Sequence, residues 1–191
     1  MTPGVLALAR EVCQRLEGRG LDIVVGGSVA SSIVGEPRAT VDLDIAVRAA
    51  PGLPETLLAA FDDGYYISAD AVRQAVRRRA SFNVIHLETM QKVDIFVLGD
   101  SPLDRGQIER RWRVQVADVH LWVGSPEDQV LRKLWWFRLG GQASERQWRD
   151  VVAILRLQAE ALDNAYLDRT AATTGLTALL ARARVEADAD S

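Results

Sequence analysis

Hydrophobic positions change their spacing several times along the chain, and each change marks an element. Val5, Leu8, Ala9, Val12 and Leu16 recur every three or four residues up to Gly18 and Gly20. That spacing predicts an amphipathic helix opened by Thr2 and Pro3. Ile23 to Val25 is a short apolar run that reads as a buried strand; a Gly-Gly-Ser turn follows, and Val29 to Val34 forms a short helix ended by Gly35 and Pro37. Asp42 to Val47 is a second strand. Leu57, Leu58 and Phe61 form the stripe of a helix that Pro51 to Pro54 opens and Gly64 closes. Tyr65 to Ile67 is a short strand, and Ser68 caps a further helix ending in Arg77, Arg78 and Arg79. Ser81 to Leu87 and Gln91 to Val97, joined by Glu88 to Met90, read as an antiparallel hairpin. A polar helix is expected from Pro102 to Arg111, and short strands from Trp112 to Val116 and Val119 to Val123.

Beyond Ser125 the pattern becomes helical throughout. Ser125, Pro126, Glu127 and Asp128 make a strong helix start, with Val130, Leu131, Leu134, Trp135 and Phe137 as the buried stripe. Lys133 falls outside that stripe. Gly140 and Gly141 break the helix, and Ser144 begins another carrying Trp148, Val151, Val152 and Leu155, with Arg149 and Asp150 free to turn toward its partner. Leu162 to Leu180 adds one or two helices interrupted by Gly175. Consecutive helices after a sheet argue for an α/β (α+β) architecture with a core over residues 1–124, a helical part over 125–185 and a tail over 186–191.

The chemistry concentrates around the first glycine turn. Gly26 and Gly27 let the backbone approach a ligand closely, and the helix start that follows offers unpaired N–H groups that favour a phosphate. Asp42 and Asp44 lie two apart on a strand and so project from one side. Two carboxylates on one face repel each other unless a cation sits between them, and hard oxygen ligands suit Mg²⁺. Asp94 stands between Val93 and Ile95 in a strand expected to be largely buried, where a lone acid costs free energy unless it is paired or binds a metal. It is the third candidate carboxylate. Arg38 and Thr40, just before the aspartates, could touch phosphate or ribose, or could belong to an ordinary loop. His86 and His120 lack metal-ligand spacing and read as structural.

Gly27-Ser28, thirteen intervening residues, then Asp42-Leu43-Asp44 resembles the signature of the nucleotidyltransferases of the DNA polymerase β superfamily, in particular small bacterial members that include the abortive-infection toxin group. Ser125 to Asp150 is similar to the helical part of those members. The resemblance implies a mixed sheet flanked by helices, and two Mg²⁺ ions held by Asp42, Asp44 and a third carboxylate, matched here by Asp94. It also implies a nucleoside triphosphate substrate gripped by Gly26, Gly27 and Ser28, and a helical lysine facing the phosphates. Lys133 fits that place, although a solvated lysine is the plainer alternative.

Composition narrows the partners. The 191 residues are 48% hydrophobic and 26% charged, with a formal net charge of −3, so general attraction to nucleic acid is absent and any RNA contact must come from a local patch. Arg73 to Arg79 carries four positive charges and no acid, and Arg105 to Arg113 adds more, which favours tRNA or a protein hydroxyl as acceptor over a cationic drug. Cys13 excludes an intramolecular disulfide and a cysteine metal cluster. No apolar run approaches the length of a membrane span and no leader pattern opens the chain, so a cytoplasmic enzyme is expected, with an antitoxin as a conceivable partner. Two rival readings use the same core: a catalytically silent antitoxin or regulatory module, which tends to lose a carboxylate, and an antibiotic adenylyltransferase.

Overall fold

The computed structural model describes residues 3–61 and 63–189. Helix α1 (Pro3–Glu17) buries Val5, Leu8, Ala9, Val12 and Leu16 as their spacing predicts; Thr2 lies outside the described residues. Strand β1 (Ile23–Val25) is wholly buried and runs into α2 (Gly27–Val34), after which β2 (Leu43–Arg48) leads to α3 (Leu53–Ala60). Next come β3 (Tyr65–Ile67), α4 (Ala69–Arg78), the hairpin β4 (Ser81–His86) and β5 (Gln91–Leu98), and α5 (Pro102–Glu109). The hairpin β6 (Trp112–Val116) and β7 (Val119–Val123) then precedes α6 (Pro126–Leu139), α7 (Glu145–Leu157), α8 (Asn164–Thr174) and α9 (Thr177–Ala189).

The strands form one mixed sheet in the order β3-β4-β5-β2-β1-β7-β6. Its centre is the parallel pair β2 and β5, in which Leu43, Ile45 and Val47 face Val93, Ile95 and Val97 in register. Those side chains are buried in the main core together with α1, α3 and α4. Alternation turns Asp44, Ala46, Asp94 and Phe96 to the opposite face. There a second, smaller apolar cluster of Val24, Ala46, Leu98 and Ile108 seats α5 and leaves the carboxylate end of both strands uncovered by it.

Helices α6 and α7 pack on α2, α6 and α8 pack on α5, and α9 packs on α7. The acids in the first turn of α6, expected for the helix dipole, are buried as well: Glu127 meets Arg110 at 3.1 Å, and Asp128 accepts from Tyr166 Oη at 2.7 Å and Ser125 Oγ at 2.9 Å. Burial raises the Asp128 carboxyl, while its hydrogen bonds and Arg110 act against that. The expected tail requires correction. Residues 186–189 continue α9, Ala187 is buried, and Glu186 accepts the Trp148 indole N–H at 2.8 Å. Alanines alternating with acids resemble a polar tail, but alanine is the strongest helix former and a buried indole N–H needs an acceptor. Among the described residues no helix is long and apolar enough to cross a membrane.

Candidate active site

The site begins where β1 hands over to α2. Gly26 N–H donates to the Asp44 carbonyl at 3.0 Å, so the turn is stitched to β2. Gly27 has φ +56, and a Cβ built on it would stand 1.8 Å from Asp44 Oδ2. The space that a side chain would need at position 27 is therefore occupied by the aspartate carboxylate. At Gly26 an added Cβ would meet nothing within 4 Å. The two glycines thus differ: one makes room for the acid, the other leaves the backbone open.

Asp44 and Asp94 are direct partners in the β2–β5 register, on the same face. Burial raises the Asp44 carboxyl above its ordinary range, and the Asp94 and Asp42 charges add to the rise, with Lys133 and Lys92 pulling it back. Asp42 sits exposed immediately ahead of β2. The premise for Asp94 changes: it is not a lone buried acid, because its side chain is 21% exposed and Lys92 Nζ lies 2.9 Å from Oδ2. Among the described residues no three His, Cys, Asp or Glu side chains are gathered into a ready-made metal cluster. The donor set nevertheless suits a hard cation. Two in-register carboxylates and a third just upstream concentrate negative charge, which burial penalises at Asp44, and the Lys92 ammonium occupies the role of counter-cation to Asp94.

Lys92 is half-exposed, so the pair stabilises only modestly, but its removal frees Asp94. Lys92→Gln is expected to lower the Mg²⁺ concentration needed for triphosphate binding by roughly two- to fivefold, the scale of an exposed ion pair. Calorimetric titration at a series of Mg²⁺ concentrations checks it, and an unchanged Mg²⁺ dependence would mean that Lys92 does not compete.

A second charge cluster flanks the turn. Arg38 donates to Ser28 Oγ at 2.6 Å and to both Asp150 oxygens at 3.2 and 3.1 Å; Lys133 Nζ meets Asp150 Oδ2 at 2.7 Å, and Ser31 Oγ donates to the same oxygen at 3.2 Å. Lys133 is 6% exposed, which removes the solvated alternative. Burial lowers its ammonium pKa, and Asp150 opposes the fall. Burial alone would raise the Asp150 carboxyl, but the Arg38 hydrogen bond and the Lys133 charge hold it below the ordinary range. Asp150 is the residue that the sequence reading left out of the site. A buried lysine requires an acid nearby, and α7 brings Asp150 to Lys133 on α6. Thr40 is also buried, with its hydroxyl on the Asp42 carbonyl at 3.4 Å, and it does not line the cleft described next.

Between the sheet and α6–α7 lies a cleft of about 1530 Å³, lined at one end by Gly26, Gly27, Ser28, Arg38, Asp44, Lys133 and Asp150. Asp42 and Asp94 are not part of its lining. Six basic side chains line it (Arg38, Arg79, Arg132, Lys133, Arg138, Arg146) against four acidic ones (Asp44, Asp104, Glu145, Asp150). Of the arginines between positions 73 and 79, only Arg79 reaches it. Arg73 lies 3.7 Å from Asp70, while Arg110 and Arg111 are engaged by Glu127 and Asp22. The expected basic patch is therefore smaller than the run of arginines suggests.

The mixed sheet and the helices flanking it match solved structures of nucleotidyltransferase-like fold. The antibiotic-resistance factor ANT(2'')-Ia has a similar solution structure, with a TM-score of 0.61 at 14% identity over 95% of this chain and 97% of that one. Its complex with adenylyl-2''-tobramycin is similar too, with a TM-score of 0.60 at 13% identity over 89% and 96%. An antigenic nucleotidyltransferase-like protein from Paracoccidioides brasiliensis has a TM-score of 0.57 at 19% identity over 97% and 94%. No family model and no curated protein matches the sequence.

Proposed function

We propose that the chain is a Mg²⁺-dependent nucleotidyltransferase that moves a nucleoside monophosphate from a triphosphate to a hydroxyl of tRNA or protein. The observation that carries the reading is the in-register pairing of Asp44 with Asp94, the Asp44 carboxylate lying against the Gly27 turn. Asp42, Asp44 and Asp94 would hold the metal, which supplies charge neutralisation at the triphosphate and a lowered pKa for the attacking hydroxyl. The remaining work belongs to the chain. Backbone N–H groups at Gly27 and Ser28 and the start of α2 receive phosphate oxygens, and Lys133 and Arg38, held in place by Asp150, offer their positive charge to the same end. The acceptor oxygen attacks the α-phosphorus, the bond to the bridging oxygen breaks, and pyrophosphate leaves with that electron pair. The acceptor proton passes to Asp94.

Support for a macromolecular acceptor is the excess of basic side chains in the cleft, which a cationic drug would meet as like charge. The antibiotic reading draws on the likeness to ANT(2'')-Ia, at an identity that speaks for fold only. A toxin role with an antitoxin partner belongs to the same proposal and follows from the sequence resemblance. The test offers each radiolabelled triphosphate with Mg²⁺ to total tRNA, cell protein and an aminoglycoside panel in parallel. Label in tRNA or protein supports the proposal, label confined to aminoglycosides contradicts its acceptor, and label in none supports the silent-module reading.

Lys133→Ala is expected to weaken triphosphate binding about tenfold or more, the scale of a charge-assisted hydrogen bond lost from a buried site. Calorimetry checks it; an unchanged affinity would assign Lys133 to holding α6 and α7 together.

A further inference from the structure

The far wall of the cleft carries an aromatic pair that the phosphate and metal chemistry does not use. Phe96 follows Asp94 by two positions on β5 and so shares its face, roughly 6–7 Å further along the strand. Trp136 follows Lys133 by three positions on α6, one turn on and on the neighbouring part of the surface. Both rings line the cleft, with centroids 6.3 Å apart at 60°. In an edge-on pair the ring that gives its edge keeps both faces, so the contact does not exhaust the stacking surface. Trp136 is 44% exposed. The other helical tryptophans are covered by arginine: Trp135 by Arg138 at 4.4 Å and Trp148 by Arg182 at 4.2 Å. Trp136 has no such cover among the cation–π contacts of the described residues.

Arg79 adds a second sign at this wall. It lines the cleft next to Ala80 and Ser81, and its backbone is left-handed at φ 52, the C-cap conformation that glycine adopts at least cost. Arg79 thus supplies a cation to the same cleft that the two rings line, a combination that fits a planar base carried with phosphate.

We infer that Phe96 and Trp136 form a stacking subsite for a nucleobase, with Arg79 in the same cleft to receive an accompanying phosphate. The inference rests on the nucleotidyl-transfer reading and assigns the part of the cleft beyond Asp44 and Lys133. The base has two sources, the bound triphosphate or a nucleotide at the end of an RNA acceptor, and stacking serves either because every base presents a π face.

Calorimetry on wild type, Trp136→Leu and Trp136→Phe separates them. The ligands, each with Mg²⁺, are inorganic tripolyphosphate, the α,β-methylene analogues of the four nucleoside triphosphates, and a short RNA with a free 3′-hydroxyl added over saturating tripolyphosphate. Tripolyphosphate should bind all three proteins alike, which also verifies that the variants are folded. If the triphosphate supplies the base, Trp136→Leu loses about ten- to a hundredfold in analogue affinity and Trp136→Phe retains most of it. If the RNA supplies it, the same loss falls on the RNA and the analogues are unchanged. Equal affinities for every ligand in wild type and Trp136→Leu would overturn the subsite. Tripolyphosphate that fails to bind wild type would instead overturn the phosphate site and this inference with it.

Discussion

Gly27→Val is expected to abolish Mg²⁺-dependent triphosphate binding, by a hundredfold or more, and to lower stability at the same time. Its Cβ would fall on the Asp44 carboxylate and its backbone is left-handed, so a β-branched residue there faces both a clash and a disfavoured conformation. The backbone part alone costs roughly 1–2 kcal/mol, or about 2–8 °C in Tm at this chain length. Because a destabilised variant could lose binding for that reason alone, Gly26→Ala is the companion. Position 26 has open space and φ −121, so alanine should change stability by less than about 0.5 kcal/mol. Any loss of affinity in that variant reports the close approach of phosphate to the turn. Gly27→Val that remains folded and binds ATP with Mg²⁺ like wild type would reduce the turn to a bend.

Asp44→Asn is expected to remove transfer activity on the order of a thousandfold, the scale of a lost metal contribution, while making the ligand-free protein more stable. Burial and the Asp94 and Asp42 charges raise the Asp44 carboxyl in the folded state. For an acid with a raised folded pKa, its stabilising contribution is complete below the unfolded pKa and is lost as pH rises through the folded one. At neutral pH ionised Asp44 therefore destabilises the fold, and the near-isosteric amide should gain on the order of 1 kcal/mol, about 2–4 °C in Tm. The gain should shrink toward zero below about pH 4, where the wild-type carboxyl is protonated. Thermal unfolding across pH checks the sign, and a variant less stable than wild type at pH 7 would contradict it.

Much of the fold was legible because its elements announce themselves locally. Spacing places α1, the β4–β5 hairpin and the capped start of α6, and period-2 alternation puts Asp44 and Asp94 on defined strand faces. What spacing does not carry is which strands meet. The Asp44–Asp94 partnership arises from β2 lying parallel to β5, a pairing across fifty residues of chain. The same holds for Arg38 and Asp150, separated by 112 positions, and for Lys133, whose buried ammonium finds its acid on α7. Lys92 lies two positions before Asp94 on one strand face, which permits their ion pair, but alternation alone does not select it over a solvated lysine. Residues 186–189 were missed because their anchor, Trp148, is distant in sequence.

Electron paramagnetic resonance of Mn²⁺ in place of Mg²⁺ tests whether Asp42, Asp44 and Asp94 hold divalent cations together with a triphosphate. Free Mn²⁺ signal should fall when wild type and the α,β-methylene analogue of ATP are combined, beyond the fall caused by the nucleotide alone. Asp42→Asn, Asp44→Asn and Asp94→Asn should each weaken that extra binding. Wild type that takes up no Mn²⁺ beyond what the nucleotide binds, or three variants that take up as much as wild type, would contradict the account.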